Sequence, residues 1–231
     1  MYNVWRRILC HNFPFIFVRR LFVFSSNNKI PWVFLLCTVL VFAAIFSYCE
    51  LYQELCQERN VLKEQLQKTQ EEVQQLEEEL LRINRYAEMY GTTPEVIAIT
   101  LRESEKYGIT PTIMLELIKT ESDFNPTAIS KADARGLCQI RPTTAKELCR
   151  ELGVEFQQKK LFETEFNISL GTYYLAKLLK IYNGDYHRAL TAYNRGPMGL
   201  KNYMQNRGTA VSRYSQRISS RGFQLAMQTN Q

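Results

Sequence analysis

The chain has 231 residues, 45% of them hydrophobic, and a formal charge of +6. This is enough for one globular domain with appendages. Two histidines far apart, six cysteines with no Cys-x-x-Cys pair, and no glycine-rich phosphate loop argue against a structural metal or a bound cofactor. The basic balance suits an anionic polymer or lipid headgroups, and no nucleic-acid-binding motif accompanies it.

Residues 1–24 mix aromatic and apolar side chains with the pairs Arg6-Arg7 and Arg19-Arg20. Their apolar run is too short to span a bilayer, so the stretch reads as a surface-lying or disordered segment. It is too poor in serine for a mitochondrial type of targeting peptide. Ile30 to Cys49 is different: twenty residues without a charge, a length matching about 30 Å of hydrocarbon. Trp32 and Tyr48 stand where interfacial aromatics collect. Five basic residues and no acid precede the span, and Glu50, Glu54 and Glu58 follow it. That asymmetry predicts a basic cytoplasmic segment at 1–29, a single-pass transmembrane helix at 30–49, and an exported remainder. A cleaved signal peptide would want a shorter apolar region and an Ala-x-Ala site, and Tyr48 is too large to precede a lipoprotein cysteine.

Residues 50–85 hold nine Glu and five basic residues. With Tyr52 at heptad position a, the a and d positions are Tyr52, Leu55, Arg59, Leu62, Leu66, Thr69, Val73, Leu76, Leu80 and Ile83. Eight of these ten are apolar, and the stretch has no Gly or Pro. The spacing predicts a coiled coil, by self-association or with a partner helix, through residues 52–83. A single solvated stalk would leave the leucine stripe exposed.

Gly91-Thr92-Thr93-Pro94 marks entry into a domain expected over 86–207, with a C-terminal helix and basic tail at 208–231. Thr93 caps a helix over 94–107 and Pro94 fits its first position. Thr110-Pro111 repeats that pattern. Another helix runs from Pro142 to Leu152-Gly153, and an apolar one from Ile168 to Tyr182, stopped by Asn183-Gly184. Asp185 caps a further helix, and residues 209–228 form the last, with Val211, Tyr214 and Ile218 on one face. Short helices joined by Gly and Pro turns, without an alternating strand, make the domain mainly α.

The stretch Leu115 to Ala145 organises this domain. Met114, Leu115 and Ile118 form an apolar helical face that runs into Glu121 and Ser122. Asn125 before Pro126 then forces an extended or turn geometry. Glu121 therefore belongs in the last turn of a mostly buried helix beside an irregular loop. A carboxyl group there is costly unless paired or protonated, and a protonated one can serve as a general acid. Ser122 is placed to support the loop backbone through its hydroxyl.

Three blocks resemble one family. Glu121-Ser122-x-Phe124-Asn125-Pro126, with Ser130 and then Gly136-Leu137-Cys138-Gln139-Ile140, is similar to the catalytic core of SLT-type lytic transglycosylases, which have a lysozyme-like fold. Asn167-Ile168 with Gly171, Tyr174 and Leu175 resembles that family's Asn-Ile helix. Ala192-Tyr193-Asn194-Arg195-Gly196-Pro197 resembles its Ala-Tyr-Asn-x-Gly-Pro motif. The resemblance implies a lysozyme-like domain that cleaves the MurNAc–GlcNAc bond of peptidoglycan, with no cofactor. Glu121 would donate a proton to the glycosidic oxygen, then accept one from the muramic acid's own C6 hydroxyl, closing a 1,6-anhydro ring. The resemblance also implies that Gln139 and Ser130 bind or border substrate, that Tyr193 orients Glu121, and that Asn194 holds the same corner.

Asp133 stands where the family often has Gly, and Cys138 where it often has Met. Asp133 is thereby a candidate second acid, which would suit a hydrolytic muramidase, since hydrolysis wants two carboxyls about 5–9.5 Å apart. A wall-binding, membrane-tethered scaffold of an envelope-spanning machine is the non-enzymatic alternative; Glu121, Gln139 and Tyr193 together argue against it. Exported thiols tend to pair, which leaves pairing of Cys138 and Cys149 open.

Overall fold

The computed structural model describes residues 30–229, so the expected cytoplasmic segment 1–29 lies outside the described residues. The chain divides between Glu72 and Val73 into two units, a boundary that falls inside the 50–85 stretch. The described part of the first unit is one helix, α1 (Ile30–Tyr90), which continues past the boundary. By length and composition α1 is apolar enough at its N-terminal end to cross a membrane. Trp32, Leu36, Phe42 and Phe46 on this stretch are all exposed. So are the seam residues Leu55, Leu62, Leu66, Leu76 and Leu80. They form an exposed apolar stripe along α1.

In the second unit the seam becomes a core face. Tyr86, Ala87 and Tyr90 are buried, at helical spacing from the partly buried Ile83. The rest is helical: α2 (Pro94–Lys106), α3 (Pro111–Ser122), α4 (Pro142–Leu152), a 3-10 turn (Gln158–Phe162), α5 (Thr164–Ile181), α6 (Tyr186–Arg207) and α7 (Arg213–Thr229). Among the described residues there is no strand. The described fold is mainly α, as the pattern predicts.

The starts and stops have local causes. Thr93 accepts from the Val96 amide, with Pro94 in the first turn of α2, and Asp185 accepts from the Arg188 amide at 3.0 Å to open α6. Thr110 departs from the predicted cap: its side chain makes no capping bond, and Pro111 alone starts α3. The apolar helix begins at Thr164, earlier than Ile168. Gly196, at φ 74° and ψ 161°, kinks α6 before Pro197. Ser212 and Ser215 cap α7 reciprocally, each hydroxyl accepting from the other's amide, at 3.1 and 3.0 Å, in the manner of a capping box.

Helix α3 is the centre of the packing. Ile113, Met114, Leu115, Leu117 and Ile118 are completely buried. α7 packs along α3 and also against α6, so the segment after residue 207 belongs to the same core. α5 packs against α2, α4 and α6. This layering puts the C-terminal end of α3, the loop 123–141, the middle of α6 and the start of α7 around one place.

Candidate active site

Glu121 lies in the final turn of α3. Asp123 ends the helix in the left-handed region, at φ 50° and ψ 42°, and its amide donates to the Lys119 carbonyl at 3.0 Å. Phe124 follows at φ 62°, an uncommon conformation for a bulky residue. Asn125 Oδ1 then accepts from the Thr127 amide at 2.9 Å, a side-chain mimic of a turn. The helix is thus stopped sharply, and Glu121 stays at its edge.

The carboxyl of Glu121 is largely buried. Its Oε1 accepts from the Tyr214 hydroxyl of α7 at 2.5 Å. Burial pushes the Glu121 pKa up, and the Tyr214 hydrogen bond offsets part of that rise. The site therefore favours a carboxyl that holds its proton above the usual carboxylate range. Burial and the nearby Glu121 charge also hold the hydroxyl of Tyr214 well above the ordinary phenol range, so it remains a donor.

The loop behind Glu121 is built around one amide. Asn167 of α5 is 1% exposed. Its Oδ1 accepts from the Cys138 amide at 2.7 Å, and its Nδ2 donates to the carbonyls of Leu161, at 2.7 Å, and Arg135, at 3.0 Å. Gly136, at φ 74°, lies so close that a Cβ there would run into the Leu161 carbonyl and the Asn167 amide. Ser122 adds a clamp from the helix side, its hydroxyl donating to the Leu137 carbonyl at 2.8 Å. This is the backbone support expected of it.

The residues singled out in the sequence meet different fates here. Tyr193 is buried, but its hydroxyl donates to the Cys138 carbonyl at 2.9 Å; the hydroxyl on Glu121 is that of Tyr214. Burial raises the Tyr193 pKa well above the ordinary value, with the Cys138 and Glu121 charges adding. Gln139 adopts φ 48°, and its Nε2 donates to the carbonyls of Ala128, at 3.1 Å, and Gly136, at 3.0 Å. Its amide nitrogen thus folds the loop, and its carbonyl oxygen is what it can offer outward. Ser130 is exposed and its Oγ accepts from the amides of Ala134, at 3.0 Å, and Ala132, at 3.3 Å. Asn194 is exposed on α6.

Asp133 sits exposed in the same loop at φ 60°. Its Oδ1 accepts from Arg135 Nη2 at 2.8 Å and Nε at 2.9 Å. Cys138 is a buried free thiol, and Cys149 in α4 another. Burial, then the Glu121 charge, hold the Cys138 thiol well above its usual pKa, so it is inert as a nucleophile. Among the described residues no group of three or more His, Cys, Asp or Glu could hold a metal ion.

Tyr214 is the residue that sequence reading missed. It was legible only as one apolar-face member of the last helix, and nothing local distinguishes it from a core tyrosine. Folding α7 back onto α3 brings it to Glu121, 93 residues away in the chain.

Residues 98–215 match the family model of the transglycosylase SLT domain. The chain belongs to this family. It is 36% identical over 122 residues to the membrane-bound lytic murein transglycosylase C of Edwardsiella ictaluri, a match covering 48% of this chain and 34% of that protein. The chain thus spans about a third of that relative's length. Its fold is similar to the X-ray structure of the lytic transglycosylase Slt of Pseudomonas aeruginosa, solved as an inactive glutamate-to-glutamine mutant. There the TM-score is 0.52 and the identity 26%, over 58% of this chain and 24% of that one.

Proposed function

We propose that this chain is a membrane-anchored lytic transglycosylase that cuts peptidoglycan glycan strands between MurNAc and GlcNAc, leaving a 1,6-anhydro-MurNAc end. The observation that carries the reading is Glu121 itself: a part-buried carboxyl with a raised pKa that accepts from the Tyr214 phenol, inside a matching SLT domain. Protonated, it donates to the departing glycosidic oxygen. The carboxylate left behind, held by Tyr214, takes the proton of the C6 hydroxyl as that oxygen closes on the anomeric carbon. Proton count balances over the cycle, and no water is consumed.

Two further observations support this reading. A Glu-to-Gln change accompanies inactivity in the Pseudomonas relative. Asp133, the candidate second acid, is exposed and tied to Arg135, which disfavours the muramidase reading. Gln139 through its carbonyl oxygen, Ser130, Tyr193 and Asn194 are assigned to the walls and supports of the substrate cleft. The apolar start of α1 is assigned to a single inner-membrane span, with residues 1–29 cytoplasmic and the catalytic domain in the exported wall space. The exposed seam 52–83 is assigned to a parallel pairing of two copies, because two chains inserted with the same topology present the stripe in the same direction.

The deciding experiment is mass analysis of fragments released from purified wall by the full chain in detergent. The expected product carries an anhydro end, lighter by one water than a reducing end. Reducing ends would move the assignment to a muramidase. Glu121→Gln should cut turnover by about 10² to 10⁴-fold with wall binding retained; surviving activity would remove Glu121 from the mechanism.

A further inference from the structure

The last turn of α1 forms part of the backing of Glu121. The Tyr90 hydroxyl donates to Glu116 Oε1 of α3 at 2.9 Å. Its ring meets Phe124 edge-on with centroids 5.5 Å apart, and the Lys119 ammonium lies 5.6 Å from the ring centroid. One side chain of the stalk helix thus touches α3 before Glu121 and the chain just after it. Glu116 is 2% exposed, and a carboxylate at that depth needs partners. Its second partner is Arg221 of α7, with Nε 3.1 Å from the same oxygen.

α3 and α7 are therefore joined at three rungs. Thr112 Oγ1 donates to the Gly222 carbonyl at 2.7 Å, Glu116 pairs with Arg221, and Glu121 accepts from Tyr214. At the first rung the helices touch through backbone: a Cβ on Gly222 would lie 2.6 Å from Ile113 Cδ1 and 3.0 Å from its Cα. At about 1.5 Å per residue, the Glu116 rung lies roughly 8 Å along α3 from the Glu121 rung. A hydrogen bond weakens steeply with misalignment, so the third rung depends on how the other two hold α7.

We propose that Tyr90 and Arg221, acting through Glu116, are positioning residues that set α7 against α3 and hold the Tyr214 hydroxyl on Glu121. The inference rests on the acid–base reading of Glu121. It makes the end of the stalk helix a participant in the reaction, so that a displacement of its last turn reaches Glu121 through one buried carboxylate. The groups facing Glu121 are Tyr214 from α7, Cys138 from the loop and Tyr193 from α6. On α2, the remaining helix against α3, the buried Glu103 is paired with Arg102 and Lys106.

The test uses the full chain in detergent with purified wall. Tyr90→Phe keeps the ring and removes the hydroxyl. It should lower kcat by about three- to tenfold, less than the ~100-fold that a 1 Å misplacement can cost, with KM unchanged. The basic limb of its pH–rate profile should move to higher pH, because the Tyr214 bond favours the charged form of Glu121. Tyr214→Phe should move the limb further in the same direction, and the double variant should match Tyr214→Phe alone. Additive effects, or a lower kcat with an unmoved limb, overturn the proposal. Arg221→Gln carries the same cycle if Tyr90→Phe does not fold. Failure of the underlying reading shows in the wild type instead, as reducing-end products or as activity in Glu121→Gln, and would withdraw this inference with it.

Discussion

Asn167→Ala tests whether one buried amide holds the loop 123–141 beside Glu121. The side chain is 1% exposed and engages three backbone groups. They are not equally dependent on it. The Arg135 carbonyl also accepts from the Ile140 amide at 3.1 Å and keeps that partner. The Cys138 amide and the Leu161 carbonyl lose the bond Asn167 gives them. At about 1–3 kcal/mol for each buried group left unsatisfied, truncation should cost about 2–6 kcal/mol, a large share of the ~5–15 kcal/mol that holds a domain together. For a domain of this size that lowers Tm by roughly 4–24 °C. Near-ultraviolet circular dichroism of the full chain in detergent follows the tyrosines of the helical domain and reads this out. Asn167→Asp gives the sharper comparison. It keeps the acceptor for Cys138 but turns a carboxylate oxygen toward two carbonyls, at a position only 1% exposed, where an unpaired charge is costly. It should destabilise more than Ala at neutral pH, and the gap should narrow as pH falls and the acid regains one donor. If Asp proves milder than Ala at neutral pH, the hydrogen-bond argument is wrong and shape alone matters at this site.

Gly171→Ala would bring a Cβ to 2.5 Å from Cys138 Cβ and 2.6 Å from its Sγ; it should cost about 1–3 kcal/mol by overpacking, and Cys138→Ala should not rescue it, since the Cβ remains, as thermal unfolding of the double variant will show. Burial raises the Glu121 pKa, so the folded chain binds that proton more tightly than the unfolded chain. The stabilisation is complete below the unfolded carboxyl's pKa and is lost as pH rises through the folded value. Glu121→Gln should therefore equal wild type in acid and exceed it at higher pH, and a constant offset from about pH 3.5 to 8 would contradict the burial argument. Leu66→Asp with Leu76→Asp should abolish association of the full chain in sedimentation without lowering the unfolding temperature of the helical domain; a monomeric wild type that also captures no partner helix in pull-downs would leave only a solvated stalk. Reporter fusions after residue 85 should be active only outside the cytoplasm, and a cytoplasmic signal there would reverse the assigned topology.

The sequence by itself determined what depends on local chemistry and periodicity. Proline in the first turn and Thr93 or Asp185 before it launch helices because they satisfy or omit amides that a helix start leaves unpaired. Asn125-Pro126 and the apolar face of Met114, Leu115 and Ile118 put Glu121 at a buried helix end before any fold was known. The heptad stripe and the uncharged run Ile30 to Cys49 were equally legible, because repetition along one helix needs no neighbour to be read. Tertiary structure alone decided which hydroxyl meets Glu121. Tyr193 and Tyr214 are both tyrosines on apolar helix faces, and only the packing of α7 along α3 sends one to the carboxyl and leaves the other on the Cys138 carbonyl. The same holds for Glu116, which reads as an ordinary surface charge until α1 and α7 close over it with Tyr90 and Arg221. Partners separated by tens of residues are chosen by how helices stack, and stacking is a property of the whole core.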